Sequence, residues 1–176
     1  MEEEQKNIIR LTEKYNEKNF SYVETESNIL RNKNKNEPFY ANIYALSLSA
    51  QGKKDEAINI FNENKKRFPD YVLSYFNLAR IFNENGEFKK AVELFNESII
   101  INPSFIDSYI HLADHFISIN RFEDAKKVSK KCIETNPENA SGYASYGKIS
   151  LFEEDFDEAI KFSNKSIELD NKSFYP

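Results

Sequence analysis

The sequence predicts an all-α chain of tandem 34-residue helix–turn–helix repeats, and three observations carry that expectation. The first is a fixed step in prolines and small residues. Pro69, Pro103 and Pro137 are spaced by one constant step, and Ala57, Ala91, Ala125 and Ala159 are spaced by the same step. Ala45, Ala79, Ala113 and Gly147 keep it too, each at one constant offset before one of those alanines. The second is that aromatic residues follow it, with Tyr75, Tyr109 and Tyr143 in one register and Phe88, Phe122 and Phe156 in another. Several registers held together over consecutive periods are the signature of a repeat architecture. The third is the scarcity of helix breakers: 4 Gly and 5 Pro among 176 residues favour helices and argue against an all-β fold.

Each period divides into two helical stretches. In 74–85 the apolar residues Tyr75, Leu78, Ala79 and Phe82 recur at three- and four-residue steps and form one helix face. Gly86 follows where a left-handed residue ends a helix. In 88–101 Phe88, Ala91, Val92, Phe95 and Ile99 repeat the pattern, and Pro103 closes it because proline cannot continue the hydrogen-bond ladder. Asp70 and Ser104, each just after a proline, are the expected N-caps of the next helices.

Composition bounds the function. A chain of 176 residues and 20.6 kDa is one ordinary domain long. A net charge of −5 and a pI near 5.3 argue against nucleic acid or an anionic membrane as partner. One cysteine excludes a disulfide framework and a cysteine-based zinc site. No apolar run approaches the ~20 residues that span a bilayer, so no membrane insertion is expected. The start MEEEQKN is acidic where a signal peptide is basic, which points to a cytoplasmic protein.

The stretch from Tyr75 to Pro103, with Leu78-Ala79, Phe82, Gly86, Ala91 and Phe95 between, resembles the tetratricopeptide repeat, the helix–turn–helix unit of peptide-binding solenoids. Residues 106–139 match through Tyr109, Leu112-Ala113, Phe116, Asn120, Ala125 and Pro137. Residues 38–71 match through Tyr44-Ala45, Leu48, Gly52, Ala57, Phe61 and Pro69, with Ala41 in place of the first aromatic. Residues 140–173 match through Tyr143, Tyr146-Gly147 and Ala159, with Asn171 in place of the proline. Residues 4–37 form a degenerate unit, read as a capping repeat: Phe20 and Val23 fit, but Arg10-Leu11 replaces Leu-Ala. The expected organisation is therefore one solenoid over 1–176, with repeats at 38–71, 72–105, 106–139 and 140–173 behind the cap at 4–37. No single repeat can bury its apolar face alone, so neighbours stack, and the resemblance implies a right-handed superhelix.

The resemblance also implies a concave wall lined by the first helix of each repeat. The family's inner positions fall on Phe39, Asn42 and Leu46; on Leu73, Phe76, Asn77 and Arg80; on Ile110, His111, Asp114 and Ile117; and on Lys148. Such an apolar surface marks a partner site, with Phe76, Leu73, Ile110 and Ile117 supplying area and Asn77, Arg80, His111, Asp114 and Lys148 fixing register. Its bland counterpart is that some of these side chains tuck between repeats. The family's carboxylate clamp carries Lys, Asn, Asn, Lys and Arg where this chain has Asn42, Leu46, Asn77, Asp107 and His111. Only Asn77 agrees, so a chaperone-tail adaptor is not expected.

Other constellations read as structural. His111 and His115 stand at i and i+4, a zinc-chelating spacing, but the repeat itself dictates the residues between them and no further His exists. Cys132 occupies a small-residue position equivalent to Asn64, Ser98 and Ser166. Acidic pairs such as Glu123-Asp124 open second helices, where negative charge suits the helix dipole. No enzyme, metal or cofactor is expected.

The function expected is a scaffold binding a peptide or helix of a partner protein. Alternatives are a module of a longer protein that recruits or regulates a catalytic domain, for which Ser173-Phe174-Tyr175-Pro176 reads as the start of a sixth unit; a small chaperone for secreted proteins; and a homodimer formed through the terminal repeat.

Overall fold

The computed structural model describes residues 2–173, with side chains through Asp170, and in them the chain folds into ten α-helices with no strand. These are α1 (Glu2–Asn16), α2 (Phe20–Lys33), α3 (Pro38–Ala50), α4 (Lys54–Arg67), α5 (Val72–Glu84), α6 (Phe88–Ile101), α7 (Ile106–Ser118), α8 (Phe122–Thr135), α9 (Ala140–Phe152) and α10 (Phe156–Ser173). The expected all-α repeat forms: first helices begin at 38, 72, 106 and 140, and second helices at 20, 54, 88, 122 and 156. Two compact units result, residues 1–94 and 95–176, divided within α6. In the first, α2 packs on α3, α3 on α4 and α4 on α5; in the second, α7 packs on α8, α8 on α9 and α9 on α10.

Small residues let the helices of a pair approach. Ala45 and Ala57 are fully buried in the first unit, as are Ala113 and Ala125 in the second. The α9–α10 pair shows how tight the approach is: a Cβ added at Gly147 would lie 2.9 Å from Ser163 Oγ and 3.2 Å from the Ala159 carbonyl oxygen. Larger side chains fill the space beside these contacts. Leu11, Val23, Tyr40 and Ile43 form one buried cluster, and Ile149 joins Ala113 and Ala125 in another.

The turn between paired helices carries the same backbone conformation once in every period. Lys18, Gly52, Gly86, Asn120 and Glu154 have φ of 60°, 81°, 79°, 58° and 62°. Gly and Asn adopt this left-handed region readily, while Lys18 and Glu154 bear the Cβ strain. The recurrence at Lys18 gives α1 and α2 the turn of the other pairs, despite the degenerate sequence of 4–37.

At two junctions a buried polar pair ten residues apart seats the incoming first helix on the second helix before it. The Asn64 side-chain amide donates to Ser74 Oγ at 3.0 Å, and the Ser98 hydroxyl donates to Ser108 Oγ. At the next junction the pair becomes Cys132 and Gly142, where a Cβ on Gly142 would lie 3.3 Å from Cys132 Sγ. The thiol is larger than a hydroxyl and asks for little hydrogen bonding, so glycine opposite it makes room.

Helix starts differ from expectation. Tyr71 and Phe105 are the N-cap residues of α5 and α7, and neither caps through its side chain. Asp70 and Ser104 sit one residue earlier, in the turn, where the Ser104 amide N–H donates to Asn102 Oδ1 at 3.0 Å. Residues 72 and 73 are therefore helical, two positions ahead of the expected start. At the other end, α10 has 18 residues where α4, α6 and α8 have 14, because Asn171 stands where a proline stops the others. Of residues 173–176, read as opening a sixth unit, Ser173 ends α10 and 174–176 lie outside the described residues.

Two stability measurements follow. Glu154→Gly relieves the left-handed strain and raises stability by roughly 1 kcal/mol, whereas Gly86→Ala, with open space around its Cβ but the wrong φ, lowers it by about as much; urea unfolding reads both. Gly142→Ser alone overpacks against Cys132 and costs roughly 1–3 kcal/mol, while the double variant Cys132→Ser/Gly142→Ser rebuilds the hydroxyl pair of the preceding junction and recovers most of that loss in thermal unfolding.

Candidate partner-binding faces

In residues 1–94 the expected inner positions divide sharply. Leu46, Leu73 and Phe39 are half-buried and Arg80 is exposed, but Asn42, Phe76 and Asn77 are buried, at 3%, 7% and 5% exposure. The expectation that those three face solvent is thus corrected. The Asn77 side-chain amide donates to Asn42 Oδ1 at 3.0 Å. A buried hydrogen bond of this kind contributes about 1 kcal/mol, and breaking one side costs roughly 1–3 kcal/mol, so the pair ties α3 to α5. The physical reason for the burial is that α5 is covered almost all round: Ser74 through Ala79 and Ile81 are all buried. Arg80 lies with its guanidinium carbon 5.8 Å from the centre of the Phe76 ring.

A residue that the inner-position pattern does not include also lies here. Tyr15 of α1 lines a cleft of about 160 Å³ with Leu46, Asn77, Arg80 and Glu84. Burial pushes its phenol above the ordinary value. The helix of the degenerate unit thus reaches the face of α3 and α5, which the motif-poor sequence of 4–37 did not reveal.

In residues 95–176 the expected inner positions are more open. Ile110 and Ile117 are half-buried, while His111 is exposed with its ring stacked on Phe95, centroids 6.0 Å apart. Lys148 of α9 pairs with Asp114 of α7 at 2.8 Å. Between the two helices lies a cleft of about 330 Å³ lined by Asp107, Ile110, Asp114, Ser141, Ala144, Ser145 and Lys148. It offers an apolar floor beside two carboxylates and one ammonium group, which suits a segment with an apolar anchor and a basic neighbour.

The chemistry-bearing residues singled out by sequence sit apart. His115 is buried at 4% exposure beside the Phe116 ring, and burial, with Arg121 nearby, holds its imidazole below the usual histidine range. Among the described residues no group of three or more His, Cys, Asp or Glu is placed to hold a metal ion. Cys132 is fully buried and its thiol is pushed up to about 11, away from the thiolate that nucleophilic chemistry needs. No helix among the described residues is long and apolar enough to cross a membrane.

One charged cluster interrupts an apolar register. Lys126 stands where repeats 38–71, 72–105 and 140–173 carry Ile58, Val92 and Ile160, and its ammonium lies 2.7 Å from both Glu153 and Glu158. Glu158 also accepts from Ser150 at 2.9 Å. These partners hold the Glu158 carboxyl below the ordinary carboxylate value and the lysine above its own.

Models of the tetratricopeptide repeat match residues 45–104, and again 106–139 and 140–173. No curated protein matches the chain by sequence. Among solved structures, a crystal structure of MamA superposes with a TM-score of 0.71 at 18% identity, covering 93% of this chain and 96% of that one. A thermophilic TPR protein of Thermus thermophilus, TTC0263, gives 0.73 at 15% identity, covering 97% and 93%. MamA 41-end from Desulfovibrio magneticus RS-1 gives 0.69 at 14% identity, covering 96% and 95%. At these identities the likeness is one of fold.

The imidazole of His115 makes a pH signature. Its folded-state value is depressed, so the unfolded chain takes up the proton first, and the stability it contributes is complete above about pH 6.5 and falls as pH drops below that value. His115→Ile, which installs the residue found at the equivalent positions 81 and 149, removes the loss between pH 7 and 5.5 in thermal unfolding.

Proposed function

The chain belongs to the tetratricopeptide repeat family, whose members are protein-interaction scaffolds, and from that premise we propose that it is a non-catalytic binding module which seats a peptide or helix of a partner protein on the exposed faces of its first helices. The observation that carries this reading is the α7–α9 cleft, where Ile110 and Ala144 lie beside Asp107, Asp114 and Lys148. Ile110 and Ile117 supply apolar area, and His111, Asp114 and Lys148 fix the register of the bound segment. In residues 1–94 the accessible contributors are Phe39, Leu46, Leu73 and Arg80, with Asn42, Phe76 and Asn77 supporting them from within. Reading the chain as one run of five repeats with a capping first pair belongs to the same proposal, as does a cytoplasmic setting. Nucleic acid is not among the proposed partners, given a net charge of −5.

Affinity capture from source-cell lysate tests the reading, with wild type compared against Ile110→Glu/Asp114→Lys and bound proteins read by mass spectrometry. A protein held by the wild type and lost by a variant of unchanged helical circular dichroism supports the cleft as the binding site. Equal capture by both overturns it.

A further inference from the structure

Beside the α7–α9 cleft, the face made by α9 and α10 holds an apolar depression of about 550 Å³. Leu151, Ile160 and Ile167 line it and stand 57%, 60% and 58% exposed, unusual for residues of this kind on a single surface.

The repeat itself identifies what this face is shaped to hold. Moved back by one period, it becomes the face of α7 and α8 that α9 covers within the same unit. There, Gly142 lies against Cys132 and Ile133, the positions of Ser166 and Ile167. Ser145 Oγ meets Ser129 Oγ at 2.8 Å, the position of Ser163. Ile149 is buried with Ala113 and Ala125, the positions of Gly147 and Ala159. Lys148 pairs with Asp114 at 2.8 Å, and Glu153 with Lys126 at 2.7 Å; these are the positions of Lys148 and Ile160. Each of the corresponding residues on the α9–α10 face lines the depression. The surface is therefore the image of a helix seat already in use once in this unit.

We propose that the α9–α10 face docks an amphipathic helix of a partner protein, a helix that imitates the first helix of a repeat. The seat dictates its chemistry. It takes a small residue at position i, where Gly142 sits on the internal seat, and a small or hydroxyl residue at i+3, where Ser145 sits. It takes a branched apolar residue at i+7, in the place of Ile149. The two charged contacts invert. Where the internal seat offers Asp114 to a lysine, this one offers Lys148, which already pairs with Asp114 at 2.8 Å, so the occupant carries an Asp or Glu at i+6 that joins this pair as a second carboxylate. Where the internal seat offers Lys126 to a glutamate, this one offers Ile160, so the occupant is apolar at i+11. A second copy stacked head to tail does not meet these demands. In the same register its α1 presents Lys6 at i and Glu13 at i+7, and Glu17 follows at i+11, which puts charges where the seat is small or apolar.

The test uses the full chain and a labelled 15-residue peptide copying residues 139–153, with Lys148→Glu and Glu153→Leu, followed by fluorescence anisotropy. The expected result is saturable binding that Ile167→Glu weakens at least tenfold and that Ile110→Glu leaves unchanged; Ala144 and Lys148 line both sites, but Ile167 lines only the α9–α10 face and Ile110 only the α7–α9 cleft, so these two variants separate them. Ile160→Lys in the protein should reverse the preference at the last position, making the peptide that keeps Glu153 the tighter binder. No binding, or binding indifferent to Ile167→Glu, overturns the proposal. So does a concentration-dependent dimer in light scattering that Ile167→Glu disperses, since the face would then serve a second copy.

Discussion

The structure depends on how closely the two helices of each pair can approach. At Gly147 even one added carbon would fall 2.9 Å from Ser163 Oγ, and fully buried alanines hold the equivalent places at 45 and 57 and at 113 and 125. Such a contact tolerates no larger side chain, because packed interiors transmit a volume change into neighbouring backbone. With the spacing within a pair set this way, the next first helix can settle in one register only. That register brings Asn64 to Ser74, Ser98 to Ser108 and Cys132 to Gly142. The faces available for binding are what remains once these contacts are made.

Variation among the repeats then amounts to local exchanges within one frame. Amide with hydroxyl, hydroxyl with hydroxyl, and thiol with glycine are three ways to fill the same space between a second helix and the following first helix. From residue 38 onward Lys126 is the exception, a charge in a register that is apolar at Ile58, Val92 and Ile160, and it is held by Glu153, Glu158 and the Ser150 hydroxyl that orients Glu158. An isolated exposed ion pair contributes little, but a lysine gripped by two carboxylates at 2.7 Å fixes the loop between α9 and α10 relative to α8. The same position reverts to Ile160 on the last pair, which is why that face is apolar where its internal counterpart is charged.

The repeat period, the helix pairs and their turns were legible in the residues, since prolines, alanines and turn glycines mark them directly. Helix starts were less so: Asp70 and Ser104 have good capping side chains, yet the turn geometry places Tyr71 and Phe105 at the cap. The depth of the expected inner positions was not legible by phase. Phase places Asn42, Phe76 and Asn77 on the inward-facing arc, whereas their burial depends on the side chains around them, and the Asn42–Asn77 bond joins two helices distant in the chain. Tyr15 was hidden because 4–37 carries few of the motif residues, although its two helices join through a left-handed turn at Lys18 as the later pairs do at theirs. The α9–α10 face was readable in principle, because the ruler that finds the repeats also shows which residues of α10 correspond to the covered ones of α8.

The most direct measurement of the packing constraint compares Ala113→Leu with Ala144→Leu by chemical unfolding. The first enlarges a fully buried contact between α7 and α8; the second adds the same atoms at an exposed site of α9. If close approach at small residues governs the fold, Ala113→Leu lowers stability by roughly 1–3 kcal/mol or more and Ala144→Leu changes it by less than about 0.5 kcal/mol. Equal and small effects from both would contradict it, for the helices of a pair could then separate without consequence.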